Sequence, residues 1–259
     1  MPTPMAPLPQ PGGGLQLQAL FPLALGQVQL QPDPLDLALQ MQAIRELQEG
    51  VASNPDPGCA WTGDLNGVWQ LHRDPRFAAL IASLLTHSWT YLEQLGFGRD
   101  RLALHLQRCW PVVSERGQVV GRHHHPNAHL SGVYYLNGDG SGRSGCIRFF
   151  PPSALNELVP GLAVGHGGPI LGEGAAAARW NAPWVDLAPR AGLLVLFPAR
   201  LDHMVLENTD SNDSRFSISF DLVLTSPPHP DPAGMAGEFL APHPSDWMPV
   251  GAGGCGVEG

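Results

Sequence analysis

Residues 121–136 read GRHHHPNAHLSGVYYL, and this stretch bears on both the fold and the site of the chain. It places four histidines within seven residues, well inside the sequence, and a β-like run follows directly. Because strand side chains alternate between two faces, His123 and His125 point to one side and His124 to the other. An H-x-H pair presents two ligands to one metal ion in this way. A third ligand must then come from elsewhere in the chain.

The third ligand is expected to be His203, in the stretch FPARLDHMVLEN. It follows the β-like run at residues 193–197, where a neighbouring strand could bring it to the first two histidines. Neutral imidazoles with open coordination positions suit Fe(II) better than the closed, cysteine-rich cages of structural zinc. Each proposed ligand is an imidazole, so iron affinity is expected to fall below about pH 6.5. We expect His124 and His129 to be ordinary surface or core residues.

A polar stripe on a later strand indicates an anion site. In RFSISF, Arg215, Ser217 and Ser219 share one strand face, and phenylalanine and isoleucine side chains take the other. An arginine fork with an adjacent hydroxyl matches a carboxylate in geometry and charge. Arg215 and Ser217 are therefore candidates to hold the distal carboxylate of a dicarboxylic acid.

Two helices are predicted before a β-rich core. An aspartate followed by proline, at residues 33–34 and again at 74–75, indicates two helix starts, and apolar residues then recur at helical spacing. The first helix is expected over about residues 34–49, and the second ends near Gly96, where a C-terminal cap belongs. From about residue 103, short β-like runs separated by turn residues predict antiparallel sheets.

Glycine and proline divide the chain into parts. They account for 31 and 27 of the 259 residues and concentrate at the ends and in the middle. We expect a Pro/Gly-rich N-terminus at 1–14, a helical support region at 15–102, a β core at 103–225 and a Pro/Gly-rich tail at 226–259. The ends offer little to bury and are expected to be mobile or loosely draped. The insert at about 151–190 is long enough to form a lid or rim over the site.

Composition argues against several classes of function. The formal net charge is -9 and no basic stripe appears, so nucleic acid is not an expected partner. The apolar stretches at 20–25 and 193–197 are far too short to cross a bilayer, and the N-terminus lacks the features of a secretory signal. Four widely spread cysteines form neither a disulfide framework nor a metal knuckle. We expect a cytoplasmic protein without membrane association, of undetermined oligomeric state.

Taken in order, the motifs resemble those of an uncharacterised 2-oxoglutarate/Fe(II) oxygenase family. They are H-x-H-P, an SGVYY strand, a G-x-L-x-x-F-P strand, a distal H-x-V and R-x-S-x-S-F, and the resemblance covers roughly residues 17–225. It implies a mainly β fold with flanking helices, the double-stranded β-helix, also called jelly roll or cupin-like. It also implies Fe(II) as the metal, 2-oxoglutarate as cosubstrate and ascorbate as an accessory reductant.

The resemblance also implies roles for individual residues. His123 and His203 correspond to the first and distal iron ligands, and Arg215 with Ser217 to the 2-oxoglutarate anchor. Tyr135 is a candidate for a hydrogen bond to the cosubstrate. Tyrosine also precedes it at position 134, on the opposite strand face, and the sequence leaves open which of the two points inward.

One position departs from the wider superfamily. The usual facial triad is H-x-D followed by a distal histidine, whereas His125 holds the place of the acid here. Either a third imidazole replaces the carboxylate, or the metal has two histidines and more water. A neutral ligand would leave the Fe(II) site one unit more positive.

The predicted reaction is oxidative decarboxylation of 2-oxoglutarate to succinate and carbon dioxide, coupled to hydroxylation of an unidentified organic substrate. Two alternatives stay open. A metal-binding cupin that acts as an isomerase, a different dioxygenase or a sensor would leave Arg215 without a role, and the glutamate expected near residue 129 is absent. A catalytically silent interaction module would use the Pro-rich ends as docking segments.

Overall fold

A computed structural model of the protein describes residues 23–52, 54, 56–152, 182–210, 214–228 and 240–248. Within these ranges the helices are α1 (Pro34–Glu49) and α2 (Ala78–Gln94). The strands are β1 (Gly26–Gln29), β2 (Trp61–Thr62), β3 (Ala103–Ser114), β4 (Val120–His123), β5 (Leu130–Tyr135), β6 (Ile147–Phe149), β7 (Val185–Leu187), β8 (Leu193–Pro198), β9 (His203–Val205) and β10 (Arg215–Thr225). Short 3₁₀ turns lie at Gly63–Asn66, Leu71–Arg73, Pro75–Phe77 and Pro244–Asp246.

The strands form two antiparallel sheets. The larger sheet has the order β1-β8-β5-β10-β3-β2, and the smaller has the order β4-β9-β6-β7. A buried apolar cluster joins their facing surfaces, with side chains from β5 and β8 of the larger sheet against those of β6 in the smaller. Two antiparallel sheets packed face to face in this way make the double-stranded β-helix, so the predicted fold is confirmed.

The first helix begins where the sequence predicts, and the second begins three residues later. At the start of α1, the Asp33 carboxylate accepts a hydrogen bond from the Leu35 backbone N–H at 2.8 Å. Asp74 does the same for Arg76 at 3.0 Å, but the chain first makes one 3₁₀ turn before α2 proper begins. Gly96 follows α2 with a φ of +91°, a left-handed conformation that glycine adopts without steric cost.

The helices pack against the outer face of the larger sheet. A second buried apolar cluster lies between the helices and this sheet. It contains the alternate β10 side chains Phe216, Ile218 and Phe220, together with Ile44 of α1 and Leu84 of α2. The intervening side chains of β10 face the smaller sheet. The two faces of this strand therefore have the apolar and polar character that its alternation predicts.

The larger sheet also contains two strands that the sequence does not predict. β1 is an edge strand with the sequence GQVQ and only partly buried side chains, so it lacks a marked apolar alternation. A Cβ at Gly26 would lie 2.7 Å from Cδ2 of Tyr91 on α2, which shows how closely the helix approaches the strand. β2 is two residues long and pairs with the other edge, on β3. Such short edges carry little sequence signal.

Much of the chain expected to be loosely held lies outside the described residues. This includes residues 1–22, 153–181 and 249–259. The described end of the predicted lid forms β7, which pairs with β6. A part of the predicted tail returns to the larger sheet, where the Ser226 N–H donates to the Ala241 carbonyl at 2.9 Å. None of the described helices is long and apolar enough to span a membrane.

Candidate metal and cosubstrate site

A cavity of about 630 Å³ lies between the two sheets. Its walls include side chains of β3, β5 and β10 from the larger sheet and of β4, β6 and β9 from the smaller. All six residues that the sequence nominates for metal and cosubstrate binding line this cavity: His123, His125, His203, Arg215, Ser217 and Tyr135. The structure therefore brings the predicted residues together at one place.

Three histidines converge within the cavity. Each of His123, His125 and His203 offers a ring nitrogen, and these nitrogens all lie within 4.8 Å of one another. His123 and His203 are register partners in the β4–β9 ladder. His125 lies two residues beyond the end of β4, where its backbone N–H donates to the Ala199 carbonyl at 2.9 Å. Although Pro126 follows, the His125 ring stacks on that of His123, with centroids 5.2 Å apart.

Hydrogen bonds orient each of the three rings. Nδ1 of His123 lies 2.7 Å from the Gly121 carbonyl, and Nδ1 of His203 lies 2.9 Å from the Leu201 carbonyl. Nδ1 of His125 lies 2.6 Å from a carboxylate oxygen of Asp221. These oxygens favour the proton on Nδ1, because only then can the ring donate to them. Nε2 of each ring is then left with its lone pair free, as a metal ligand requires.

Burial favours the neutral form of two of these imidazoles, His203 and His123. Desolvation lowers the pKa of His203 to about 3, and nearby positive charge on the other rings acts in the same direction. Desolvation likewise lowers the pKa of His123 from its ordinary value. Neutral imidazole is the form that binds metal. Protons should therefore compete with a metal at His203 only well below the pH of about 6.5 expected for a free imidazole.

The sequence does not nominate Asp221, whose carboxylate lies next to Nδ1 of His125. Asp221 on β10 is fully buried and accepts hydrogen bonds from Ser131 Oγ at 2.7 Å and Arg108 Nε at 3.2 Å, besides its contact with His125. Burial by itself would raise the pKa of Asp221, but these hydrogen bonds outweigh it and hold the pKa below its usual range. The signal in the sequence is the alternation of β10, since the polar stripe of Arg215 continues to position 221.

Arg215 is the largest fully buried polar side chain of the cavity wall. Only 1% of it is exposed, and its Nη1 donates to the carbonyls of Ser144 and Gly145, each at 3.1 Å. Its Nε has no hydrogen-bond partner among the residues described. A buried, unpaired guanidinium N–H is costly unless an acceptor fills the space beside it. A ligand carboxylate in the cavity would be such an acceptor.

The two adjacent tyrosines of β5 point to opposite sides of the larger sheet. Tyr135 lines the cavity, whereas Tyr134 lies in the cluster between sheet and helices. Burial raises the pKa of Tyr135 to about 12, so its phenol stays protonated at neutral pH and can donate a hydrogen bond. The alternative that the sequence leaves open is thus resolved geometrically in favour of Tyr135 as the residue at the site.

The remaining two histidines of the cluster have other partners. His124 Nδ1 lies 3.1 Å from an Asp202 carboxylate oxygen at the exposed side of the strand. His129 Nδ1 accepts a hydrogen bond from the Leu224 backbone N–H at 2.9 Å. Among the described residues, neither belongs to the group of converging ring nitrogens.

The fold is a double-stranded β-helix, and the three histidines that converge in its cavity form a candidate metal site. Residues 108–221 match the family described as "Putative 2OG-Fe(II) oxygenase". This match covers less than half of the chain, and it agrees with the resemblance of the motifs to 2-oxoglutarate/Fe(II) oxygenases. The matched segment contains all three converging histidines together with Arg215 and Asp221. No curated protein matches the chain significantly.

Several solved structures share the fold. The non-heme alpha ketoglutarate dependent carbocyclase SnoK from nogalamycin biosynthesis is 16% identical, with a TM-score of 0.53 over 81% of this chain and 84% of that one. The epimerase SnoN, solved with Fe3+, alpha ketoglutarate and nogalamycin RO, is 18% identical, with a TM-score of 0.52 over 86% and 92%. AviO1 from Streptomyces viridochromogenes Tue57 is 20% identical, with a TM-score of 0.51 over 80% and 93%. At these identities the likeness establishes the fold alone.

Proposed function

We propose that His123, His125 and His203 bind one Fe(II) ion, and that Arg215 and Ser217 bind 2-oxoglutarate beside it. The observation that carries this proposal is the convergence of three imidazoles in the cavity that also contains a buried arginine with an unpaired N–H. The enzyme would hydroxylate an organic substrate while 2-oxoglutarate is converted to succinate and carbon dioxide.

The donor set fits Fe(II). Three imidazole ligands leave coordination positions open, which closed structural zinc sites do not. When bound, the iron supplies the oxygen chemistry that couples decarboxylation of 2-oxoglutarate to oxidation of the substrate. The chain holds His123 on β4, His203 on β9 and His125 in the turn after β4. A hydrogen bond at Nδ1 orients each ring.

The polar stripe of β10 fits a dicarboxylic cosubstrate. Nε of Arg215 would donate to the distal carboxylate, and Nη1 is already held in place by two backbone carbonyls. Ser217 lies next along the same face and also lines the cavity. Tyr135, protonated at neutral pH because burial raises its pKa to about 12, would donate a further hydrogen bond.

The remaining cavity wall fits an organic substrate. Its surface combines the indole of Trp110 and the aliphatic side chains of Val112 and Val120 with the polar groups of Asp64 and Arg108. A wall that combines apolar surface with placed polar groups is typical of sites for small organic molecules. A net charge of -9 disfavours nucleic acid as the partner. A cupin without 2-oxoglutarate would leave the Arg215 Nε unpaired.

We also propose that the protein is cytoplasmic, and that the helical region 15–102 and the β core 103–225 fold as one unit. The packing of α1 and α2 on the larger sheet supports the single folding unit, as does the entry of β1 and β2 into that sheet. Limited proteolysis tests the unit, because cleavage between the two regions should occur only on global unfolding.

The proposed reaction is tested by measuring succinate produced from 2-oxoglutarate with ferrous iron and ascorbate, with and without candidate substrates. Slow succinate formation is expected without substrate, and a faster, oxygen-dependent rate with the correct one. Arg215→Ala is the matched variant, because it removes the proposed anchor and leaves all three histidines. Iron-loaded wild-type protein that neither binds nor converts 2-oxoglutarate would contradict the proposal.

A further inference from the structure

The hydrogen-bond partners of the three imidazoles differ in charge. His123 and His203 each face a neutral backbone carbonyl, whereas His125 faces the carboxylate of Asp221. The Ser131 hydroxyl, which donates to that carboxylate, also lies 3.0 Å from Nδ1 of His125. This asymmetry coincides with the position at which a histidine replaces the carboxylate of the usual facial triad. The three proposed ligands carry no carboxylate, but the carboxylate of Asp221 is hydrogen-bonded to His125, the histidine that takes the place of the acid.

We propose that Asp221 is a positioning residue that turns Nε2 of His125 towards the metal and strengthens it as a ligand. The inference rests on the proposed function, since it takes His125 to be a metal ligand. Asp221 itself does not touch the metal in this assignment. It acts by accepting the Nδ1–H of His125, and so selects the tautomer in which Nε2 carries the lone pair.

The contact between Asp221 and His125 is short and buried. Oδ1 of Asp221 lies 2.6 Å from Nδ1 of His125, and the exposed fractions of the two side chains are 0% and 8%. A carboxylate in a dry site interacts with an imidazole N–H more strongly than a neutral carbonyl does. It also makes the ring more electron-rich, so that the nitrogen opposite is a better donor to a cation.

Three neighbouring strands hold the Asp221 carboxylate in place. Asp221 on β10 is the register partner of Ser131 on β5 and of Arg108 on β3. Ser131 Oγ donates to Oδ1 of Asp221 at 2.7 Å, and Arg108 donates to Oδ2. Arg108 in turn stacks on the Trp110 ring, with its guanidinium carbon 4.9 Å from the ring centroid. Both oxygens are thus occupied, and the carboxylate cannot easily rotate away from His125.

Strand β10 thereby serves both halves of the site. Arg215 at its beginning faces the proposed cosubstrate position, and Asp221, three positions further along the same face, holds a ligand of the proposed metal. A register irregularity between β3 and β10 falls directly after Asp221. Bulges of this kind re-aim side chains next to sites, so the irregularity is consistent with a positional role.

The test compares Co(II) binding by full-length wild type and Asp221→Asn, measured by calorimetry and by the visible absorption of the bound Co(II). An amide at this position cannot satisfy Arg108, Ser131 and His125 at once, because it brings donors where all three partners donate. We expect a loss of affinity of about 10-fold to 100-fold and a changed absorption spectrum, which reports the ligand geometry directly. Ser131→Ala should shift both readouts in the same direction by less.

Glu115→Gln is the matched control. Glu115 resembles Asp221 in accepting hydrogen bonds from an arginine, Arg45 at 2.7 Å, and a serine hydroxyl, Ser214 at 2.6 Å, but it does not line the cavity. The control should lower thermal stability without changing the affinity or the spectrum of Co(II). Equal Co(II) affinity and spectra for wild type, Asp221→Asn and Ser131→Ala would overturn the inference.

A double-mutant cycle with His125→Ala identifies the path of the effect. If Asp221 acts through His125, Asp221→Asn should cost no further affinity once the ring is absent. An equal loss in both backgrounds would overturn the inference, because Asp221 would then act by another route. Wild-type Co(II) affinity in His125→Ala alone would instead contradict the proposed ligand set. Should Asp221→Asn not fold, the cycle is made with Ser131→Ala, and an additive loss there counts equally against the inference.

Discussion

His123 and His203 stand opposite each other in the β4–β9 ladder, with ring centroids 4.3 Å apart. Cross-strand pairing fixes the separation of the two backbones at these positions, and the Gly121 and Leu201 carbonyls then orient the two rings through Nδ1. His125 is held differently, by its backbone bond to Ala199 and its side-chain bond to Asp221. Contacts within the protein therefore hold the three rings with their nitrogens within 4.8 Å of one another.

Replacing any one of the three histidines by alanine is expected to reduce metal affinity severely. Each ring would supply one of three ligands, so His125→Ala should lose about as much Co(II) or anaerobic Fe(II) affinity as His123→Ala or His203→Ala. A supporting residue would cost only about 10-fold to 100-fold. His124→Ala is the control, because that ring faces Asp202 instead of the cavity centre. If His125→Ala binds metal as wild type does, the centre has two histidines and water.

Arg215 variants are expected to lose 2-oxoglutarate affinity. A hydrogen bond to a charged group contributes about 1.5–3 kcal/mol, so Arg215→Ala should weaken binding by at least about 10-fold. Arg215→Lys should recover little, because lysine lacks the planar fork and would lose the two carbonyl contacts of Nη1. Calorimetry on metal-substituted protein measures this. Arg148→Lys, whose arginine pairs with Asp186 on the outer side of β6, should bind like wild type.

Gly145→Ala is expected to displace the Arg215 side chain while leaving the arginine itself unchanged. Gly145 has a φ of +91°, and a Cβ there would collide with the Leu206 carbonyl and lie 3.0 Å from Nη1 of Arg215. The variant should lose both stability and 2-oxoglutarate affinity. Gly117→Ala provides the control, because Gly117 has a φ of +83° with nothing within 4 Å of the added Cβ. It should lose about 1–2 kcal/mol of stability and no affinity. Equal 2-oxoglutarate affinity in both variants would show that Gly145 does not position Arg215.

The sequence predicts the site residues that follow from alternation within one strand. It does not predict contacts that depend on the register between strands. His123, Arg215 and Ser217 follow from the two-residue period of single strands, and α1 follows from its N-cap. The partner of His125 does not, because Asp221 lies 96 residues away and only the pairing of three strands brings it near. Contacts between distant segments leave no local pattern.

The choice between the tyrosines of β5 shows a second limit. Every residue of that strand is buried, because helices cover one face of the larger sheet and the smaller sheet covers the other. A strand buried on both faces reads as a continuous apolar run, without the contrast that marks an inner side. Only the structure distinguishes Tyr135, at the cavity, from its neighbour.

The metal-free protein is expected to lose stability in acid. The pKa of His203 is lowered to about 3 by burial, whereas a histidine in the unfolded chain titrates near its ordinary value of 6.5. Between these values the unfolded state binds a proton that the folded state does not. The free energy of unfolding should therefore fall as the pH drops below about 6.5, with a limiting slope of about 1.4 kcal/mol per pH unit for one such group. The lowered pKa of His123 acts with the same sign.

Urea unfolding of metal-free protein at a series of pH values between about 5.5 and 7.5 measures this slope, in a range above the titration of ordinary carboxylates. His203→Leu is the informative variant, because leucine fills similar space and cannot take up a proton. Its stability should vary less steeply with pH than that of the wild type, even if its stability at pH 7 differs. Identical slopes for wild type and His203→Leu would show that His203 is not held neutral by the fold, and that its burial does not oppose protonation.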